Sequence, residues 1–186
     1  FRTALAPMLL LSQLVQEHGI KVVMTGEGAD ESFLGYNIFK ETLLRKSWDS
    51  LAAPQKREVI AALYPYLDHF NEKNYSPLLR LYSGFTEEKQ AGLFSHEMRY
   101  NNSTFALRLL NPAPPDSLPK ISQEISQAQV NYGSFSPLQK AQWLEFKTLL
   151  AGYLLSSQGD RMSLAHGVEN RCPFLDHQVV EYAAGL

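Results

Sequence analysis

The amino-acid sequence predicts an α/β chain that is predominantly helical. Three observations carry this: one short apolar run, Val22-Val23-Met24, that ends in a glycine-bounded loop; helical apolar periodicity on both sides of it; and a change of texture after about residue 50, beyond which no further strand stands out. The 186 residues are 45% hydrophobic and 19% charged, enough for one domain with a sizeable core. A formal net charge of -2 argues against a nucleic-acid partner and against a basic membrane-surface protein. A single cysteine, Cys172, excludes an internal disulfide and points to a reducing compartment. Apolar stretches such as residues 4–11 fall far short of the roughly 20 residues that span a bilayer. A soluble, cytoplasmic protein is expected, and the start at Phe1 rather than methionine looks like an excerpt of a longer one.

The elements follow in order. Pro7 suits the first turn of a helix over 7–18, with Leu10, Leu11, Leu14 and Val15 on one apolar stripe and Gly19 as its C-cap. Residues 20–24 then read as a short buried strand. The loop Gly26-Glu27-Gly28 allows close approach to the main chain, and Asp30 and Glu31 fall where a helix begins, so each is either a cap or a metal ligand. From Glu31 to about Trp48 the apolar positions are dense enough for a largely buried helix, interrupted at Gly35, with Lys40, Arg45 and Lys46 near the end that the helix dipole favours for cations.

Pro54 opens another helix, with Val59, Ile60 and Leu63 inward and Tyr64-Pro65-Tyr66 ending it. Residues 77–82 and 86–93 read as two more, the second started by Thr86-Glu87-Glu88. Four prolines in the nine residues 111–119 exclude a regular helix and mark a loop, either a lid or a surface connection. Residues 121–130 have weak helical period, and 131–134 a turn. Ser136-Pro137 starts a helix expected to run to about Leu150, burying Leu138, Ala141, Leu144 and Leu149.

A second cluster closes the chain: Ser156-Ser157-Gln158-Gly159-Asp160-Arg161-Met162-Ser163, then Gly167-Val168-Glu169-Asn170-Arg171-Cys172-Pro173-Phe174-Leu175-Asp176-His177. Asp160, Arg161, Glu169, Arg171 and Asp176 suit either a structural ion network or a ligand site, and the two arginines suit bidentate binding of phosphate or carboxylate. His166 and His177 read as packing or hydrogen-bonding residues.

Taken together, Thr25-Gly26-Glu27-Gly28-Ala29-Asp30-Glu31 with Tyr36, the stretch 136–148, residues 159–166 and Val168 to His177 resemble, in the right order, the synthetase domain of glutamine-hydrolysing asparagine synthetases. The resemblance implies a fragment of an ATP-pyrophosphatase-like (adenine nucleotide α-hydrolase-like) parallel-sheet domain with a helical extension. Residues 1–186 would be part of that domain, 1–50 the end of its α/β nucleotide-binding part and 51–186 the helical part with the second motif. It implies ATP and Mg²⁺ as cofactors and an activity that adenylates the aspartate side-chain carboxylate, releases pyrophosphate, and lets ammonia derived from glutamine attack the adenylate. Carried over residue by residue, Glu27 matches the acid proposed as general base, and Asp30 the acid that helps hold the metal. Arg161 lies where a cation faces pyrophosphate, although Gln158-Gly159 stand where other members have a nearby lysine. Gly26, Gly28, Asp30, Glu31, Tyr36, Asp160 and Arg171 fall in the stretches that bind substrate or nucleotide. Cys172 is a packing residue in this reading.

The Ser-Gly-Gly-x-Asp-Ser loop of the family and its amino-terminal glutaminase domain are not among these 186 residues, so the chain alone is expected to be inactive and to have that glutaminase domain as partner. A homodimer is compatible with the reading. Two other readings stay open. One is the same chemistry on another carboxylate, as in β-lactam synthetases and peptide-cyclising ligases; the intact Gly-Glu-Gly favours ammonia as nucleophile. The other is a non-catalytic paralogue.

Overall fold

A computed structural model describes residues 3–65, 72–107, 109–110 and 118–186. In chain order it contains α1 (Leu5–Glu17), β1 (Val22–Met24), α2 (Ala29–Ser32), α3 (Asn37–Ser47), α4 (Ala53–Leu63), α5 (Glu72–Ser83), α6 (Glu97–Leu107), α7 (Leu118–Ala128), α8 (Pro137–Leu144), a π-helical stretch Glu145–Asp160, α9 (Arg161–Leu164), β2 (Glu169–Arg171) and α10 (His177–Ala184). The chain is thus mostly helical with a small parallel sheet. It divides into two compact units, residues 1–36 with 142–186 and residues 37–141. No helix among the described residues is long and apolar enough to cross a membrane.

In the first unit β1 and β2 pair in parallel, Val22 opposite Glu169, Val23 opposite Asn170 and Met24 opposite Arg171. The strand expected over 20–24 is shorter and is not buried: Met24 is 80% exposed and only Val23 is half-buried. The sheet has two strands among the described residues, and the outer residues of each are exposed, whereas parallel sheets ordinarily lie covered on both sides. The leucine stripe of α1 likewise stands open, with Leu10, Leu11 and Leu14 exposed and Ser12 as its buried residue. Gly19 does take the left-handed conformation of a helix end, at φ +72°.

In the second unit Leu44, Trp48, Ile60, Leu63 and Tyr82 form the core, with Trp48 stacked on Tyr82 at 5.6 Å and donating from Nε1 to Ser83 Oγ at 3.0 Å. Ile60 and Leu63 point inward as expected, while Val59 is exposed. The helix expected over 86–93 does not form. Its amides are taken by carboxylates instead: Lys89 and Gln90 N–H donate to Glu97 Oε1 at 2.5 and 2.9 Å, and Gly92 N–H to Glu88 Oε1 at 2.8 Å. Gly92 turns left-handed at φ +80° and the helix starts later, as α6. Pro77 lies inside α5, which begins five residues before the expected start.

Ser136 and Gln139 form the reciprocal capping box of α8, Gln139 N–H to Ser136 Oγ at 3.2 Å and Ser136 N–H to Gln139 Oε1 at 2.9 Å. Beyond Leu144 the hydrogen bonding becomes π-type through Asp160 rather than α-helical to Leu150. Glu145 and Leu150, spaced as i→i+5 bonding repeats, are both buried there. Of the proline-rich stretch, 111–117 lie outside the described residues, as does Tyr66, while Leu118 and Pro119 already belong to the first turn of α7.

One buried cation ties the second unit together. Arg45, 1% exposed, donates from Nε to Phe85 O at 2.8 Å and from Nη1 to Phe94 O at 2.6 Å, pairs with Glu97 Oε2 at 3.3 Å, and lies 4.0 Å from the Phe94 ring centroid. Burial pushes its pKa down, opposed by the Glu97 charge. Removing one partner of a buried pair leaves the other charge uncompensated. Arg45→Met is therefore expected to destabilise the protein by about 3 kcal/mol in urea unfolding; a loss under about 1 kcal/mol, the range of an exposed pair, would contradict this role.

Candidate functional site

The site lies in the first unit, at the carboxyl end of β1. Pairing with β2 carries one rung further, Thr25 N–H donating to Arg171 O at 2.9 Å, and Thr25 Oγ1 meets Cys172 Sγ at 3.4 Å across 147 positions of sequence. The chain then turns through Gly26 and Glu27. Gly28 takes φ +88° at the start of α2, and a Cβ there would overlap the Leu175 side chain, 2.6 Å from its Cγ. Glycine at 28 is thus required by the turn and by Leu175 packing. At Gly26 a Cβ would meet nothing within 4 Å, which leaves its main chain open to approach.

Phe174 of the second motif and Gln142 hold α2 in place. Ser32 Oγ donates to Phe174 O at 3.2 Å, Phe33 meets Phe174 edge-on at 6.0 Å, and Gln142 Nε2 donates to Glu31 O at 2.8 Å. The stretches 25–36, 142–145 and 171–175, far apart in sequence, therefore converge on one short helix.

This convergence gathers acids. Glu31 is 1% exposed, and its Oε1 has no hydrogen-bond partner among the described residues. Burial pushes its carboxyl pKa up, its own backbone and the Tyr36 hydroxyl oppose that, and the neighbouring Asp30 and Glu145 charges add to it. Tyr36 is raised by burial and then by Glu31 and Asp30. Glu27, half-buried, is raised by burial and then by Asp30, which is itself exposed. Glu145, fully buried against this group, escaped the sequence reading as a site residue. The signal for it was an acid next to Leu144 on the face that buries Ala141.

Of the expected site residues, the structure thus brings together Gly26, Glu27, Gly28, Asp30, Glu31 and Tyr36. Arg171 joins them through its main chain; its side chain is exposed and donates from Nε to Glu169 Oε1 at 2.8 Å. Asp160 and Arg161 sit exposed where the π-helical stretch meets α9. Asp176 caps α10 by accepting from Gln178 N–H at 2.9 Å. His166 Nδ1 lies 2.8 Å from the buried Ser12 Oγ, which also donates to Met162 O at 2.7 Å, in keeping with a hydrogen-bonding role. Thr25 also lines an apolar cavity of about 270 Å³, with Met8, Leu11, Val15, Val23 and Asn170.

The carboxylates of this group match Mg²⁺ in kind. They supply the hard oxygen donors that ion prefers, and no group of three or more His, Cys, Asp or Glu able to hold a metal occurs among the described residues. That set fits a Mg²⁺ bound through one or two carboxylates, water and phosphate oxygens, and does not fit an all-protein cage.

A carboxyl whose folded pKa is raised binds its proton more tightly folded than unfolded, so its contribution to stability is present at low pH and lost as pH rises through the raised pKa. Without divalent cations, Glu31→Gln is therefore expected to be more stable than wild type at pH 7, the difference disappearing below the ordinary carboxylate value of 4.5. Thermal unfolding across that range checks it, and a difference that does not vary with pH would contradict it.

Comparison with known proteins bears on this geometry. The family model described as asparagine synthase matches residues 1–186. The chain is 30% identical over 94% of its length to a Penicillium rubens protein named Amidase chyE, covering 27% of that protein. It is 30% identical over 98% of its length to a putative glutamine-hydrolysing asparagine synthetase of Mycobacterium tuberculosis, covering 26% of it. It is 27% identical over 98% of its length to glutamine-hydrolysing asparagine synthetase 1 of Bacillus subtilis, covering 27%. The chain thus spans about a quarter of the length of these curated relatives. No solved structure matches it. With the family model covering the whole of a chain in which the Gly-Glu-Gly loop and the Glu169–Leu175 motif meet on one short helix, this protein belongs to the asparagine synthase family.

Proposed function

We propose that the chain is the part of an ATP-dependent ligase that adenylates the side-chain carboxylate of aspartate and transfers ammonia to it, forming asparagine, AMP and pyrophosphate. The observation that carries this reading is the meeting of Glu27, Asp30, Glu31 and Tyr36 at the carboxyl end of a parallel strand, the usual place for ligands in α/β sheets. The two-strand sheet then belongs to an ATP-pyrophosphatase-like sheet. Within the 186 residues, 1–50 supply its acidic loop and 51–186 the helical part and the second motif. Ammonia would come from a glutaminase domain in the same protein.

In the first step an aspartate carboxylate oxygen attacks the α-phosphorus of ATP and pyrophosphate leaves. Asp30 would hold Mg²⁺, which when bound neutralises the charge that develops on the pyrophosphate. Glu31 and Tyr36 would shape the surrounding site; Arg161 with Asp160, and Arg171 once released from Glu169, would reach phosphate oxygens from outside the acidic group. The apolar cavity beside Thr25 and Asn170 offers the purine base a nonpolar neighbour with two polar edges. In the second step ammonia nitrogen attacks the acyl carbon, AMP leaves with the bonding pair, and the attacking nitrogen loses a proton to Glu27. Burial and then the neighbouring Asp30 raise the proton affinity of Glu27 above that of an ordinary carboxylate, the direction a general base requires.

A second reading is the same two steps on a different carboxylate, in keeping with similarity to a relative that is named an amidase and not an asparagine synthetase. A panel of carboxylates with the full-length protein separates the two, because only the first requires aspartate.

With the full-length protein, ATP, Mg²⁺, aspartate and ammonia, Glu27→Gln is expected to keep pyrophosphate release while asparagine formation falls on the order of 10²-fold. Product formation by wild type should decline as pH drops through the raised pKa of Glu27. Equal loss of both steps in the variant would remove Glu27 from the role of base.

A further inference from the structure

The loop that leaves α2 does more than interrupt a helix. Gly35 N–H returns to donate to the Asp30 main-chain oxygen at 2.8 Å, across a Leu34 held in the left-handed region at φ +58°. This is the six-to-one bond of a Schellman helix end, with leucine where glycine usually stands. The return lays Gly35 directly on Asp30. A Cβ on Gly35 would overlap Asp30 Oδ1 and come within 3.1 Å of its Cγ and 3.3 Å of its Cα. Gly35 is not among the residues of positive φ, so its backbone does not call for glycine. The carboxylate of Asp30 does, since it fills the space where a side chain at 35 would lie.

We infer that Gly35 is a positioning residue for Asp30, its bare main chain forming the wall that confines the carboxylate to one orientation. The inference rests on the proposed reading of Asp30 as a ligand of the nucleotide-associated metal. An exposed aspartate at a helix start samples several rotamers. One whose carboxylate is backed by the Gly35 main chain, itself fixed by its bond to the Asp30 main-chain oxygen, has fewer to sample, which is what a ligand that must meet a hard cation at short range requires.

Mn²⁺ is the probe, its free concentration read by electron paramagnetic resonance with the full-length protein and a non-hydrolysable ATP analogue. Gly35→Ala is expected to weaken Mn²⁺ binding by about 10-fold to 100-fold, the range for groups that orient a metal ligand. Asp30→Asn should weaken it at least as much, and the double variant no further, because both changes remove one interaction. Gly133→Ala, where a Cβ meets nothing within 4 Å, should bind as wild type. Wild-type affinity in a folded Gly35→Ala protein, with Asp30→Asn impaired, would overturn the positioning role and leave the metal reading standing. Unchanged affinity in Asp30→Asn would remove Asp30 as a ligand and this inference with it. Should Gly35→Ala not fold, Asp30→Glu serves in its place, since the side chain is exposed. Its extra methylene carries the carboxylate beyond the wall, so a matching loss is expected, and retained affinity would overturn the inference.

Discussion

The parallel pairing of Val22–Met24 with Glu169–Arg171 is the constraint on which the site depends. Three residues on each side form it, and between them lies most of the chain. Closing so long a loop costs chain entropy that grows only slowly with length, yet a three-residue parallel ladder contributes little by itself. The pairing must be held by what it brings together. Thr25 N–H extends the ladder to Arg171, Ser32 and Phe33 engage Phe174, and Leu175 occupies the space that Gly28 leaves open. Each contact joins a residue of the first motif to one of the second, so fold and site are stabilised by the same set of interactions.

The same convergence confines negative charge. α2 has four residues, far too few to persist as an isolated helix, and it carries Asp30 and Glu31 next to Glu27 and Glu145. Burying carboxylates without a compensating charge is unfavourable, and the protein meets that cost partly by raising the proton affinity of Glu31 and Glu27. Natural proteins keep such arrangements where a site needs them. On the proposed reading, the cost suits a cation carried in with a nucleotide and a base whose proton affinity exceeds that of an ordinary carboxylate. The second unit handles its buried charge differently: Arg45 is paired with Glu97 and bound to two carbonyl oxygens, so its charge is fully used within the fold.

Local chemistry was the part of the structure that could be read from sequence. Ser136-Pro137 predicted the start of α8 because a hydroxyl cap and a first-turn proline act within a few residues, and Gly19 ended α1 for a similarly local reason. Gly26, Glu27, Gly28, Asp30 and Glu31 stood out as three acids among glycines at a strand end, a pattern that alone suits a capped helix as well as a ligand site. What long-range contacts decide was not legible. Residues 86–93 have helical composition, but the Glu97 carboxylate captures two of their amides from outside the segment. The openness of β1 and of the α1 leucines follows from what packs on them, which periodicity does not reveal. Glu145 gave only a faint signal, since its role appears when the π-helical stretch turns it towards Glu31.

The central claim is that this acidic strand-end loop serves acyl-adenylate chemistry on aspartate. It is tested most directly by exchange of labelled pyrophosphate into ATP, catalysed by the full-length protein with Mg²⁺ and no ammonia, because only reversible adenylate formation returns the label. The account predicts exchange that depends on aspartate and disappears in its absence. A folded protein that gives no exchange with aspartate would contradict it.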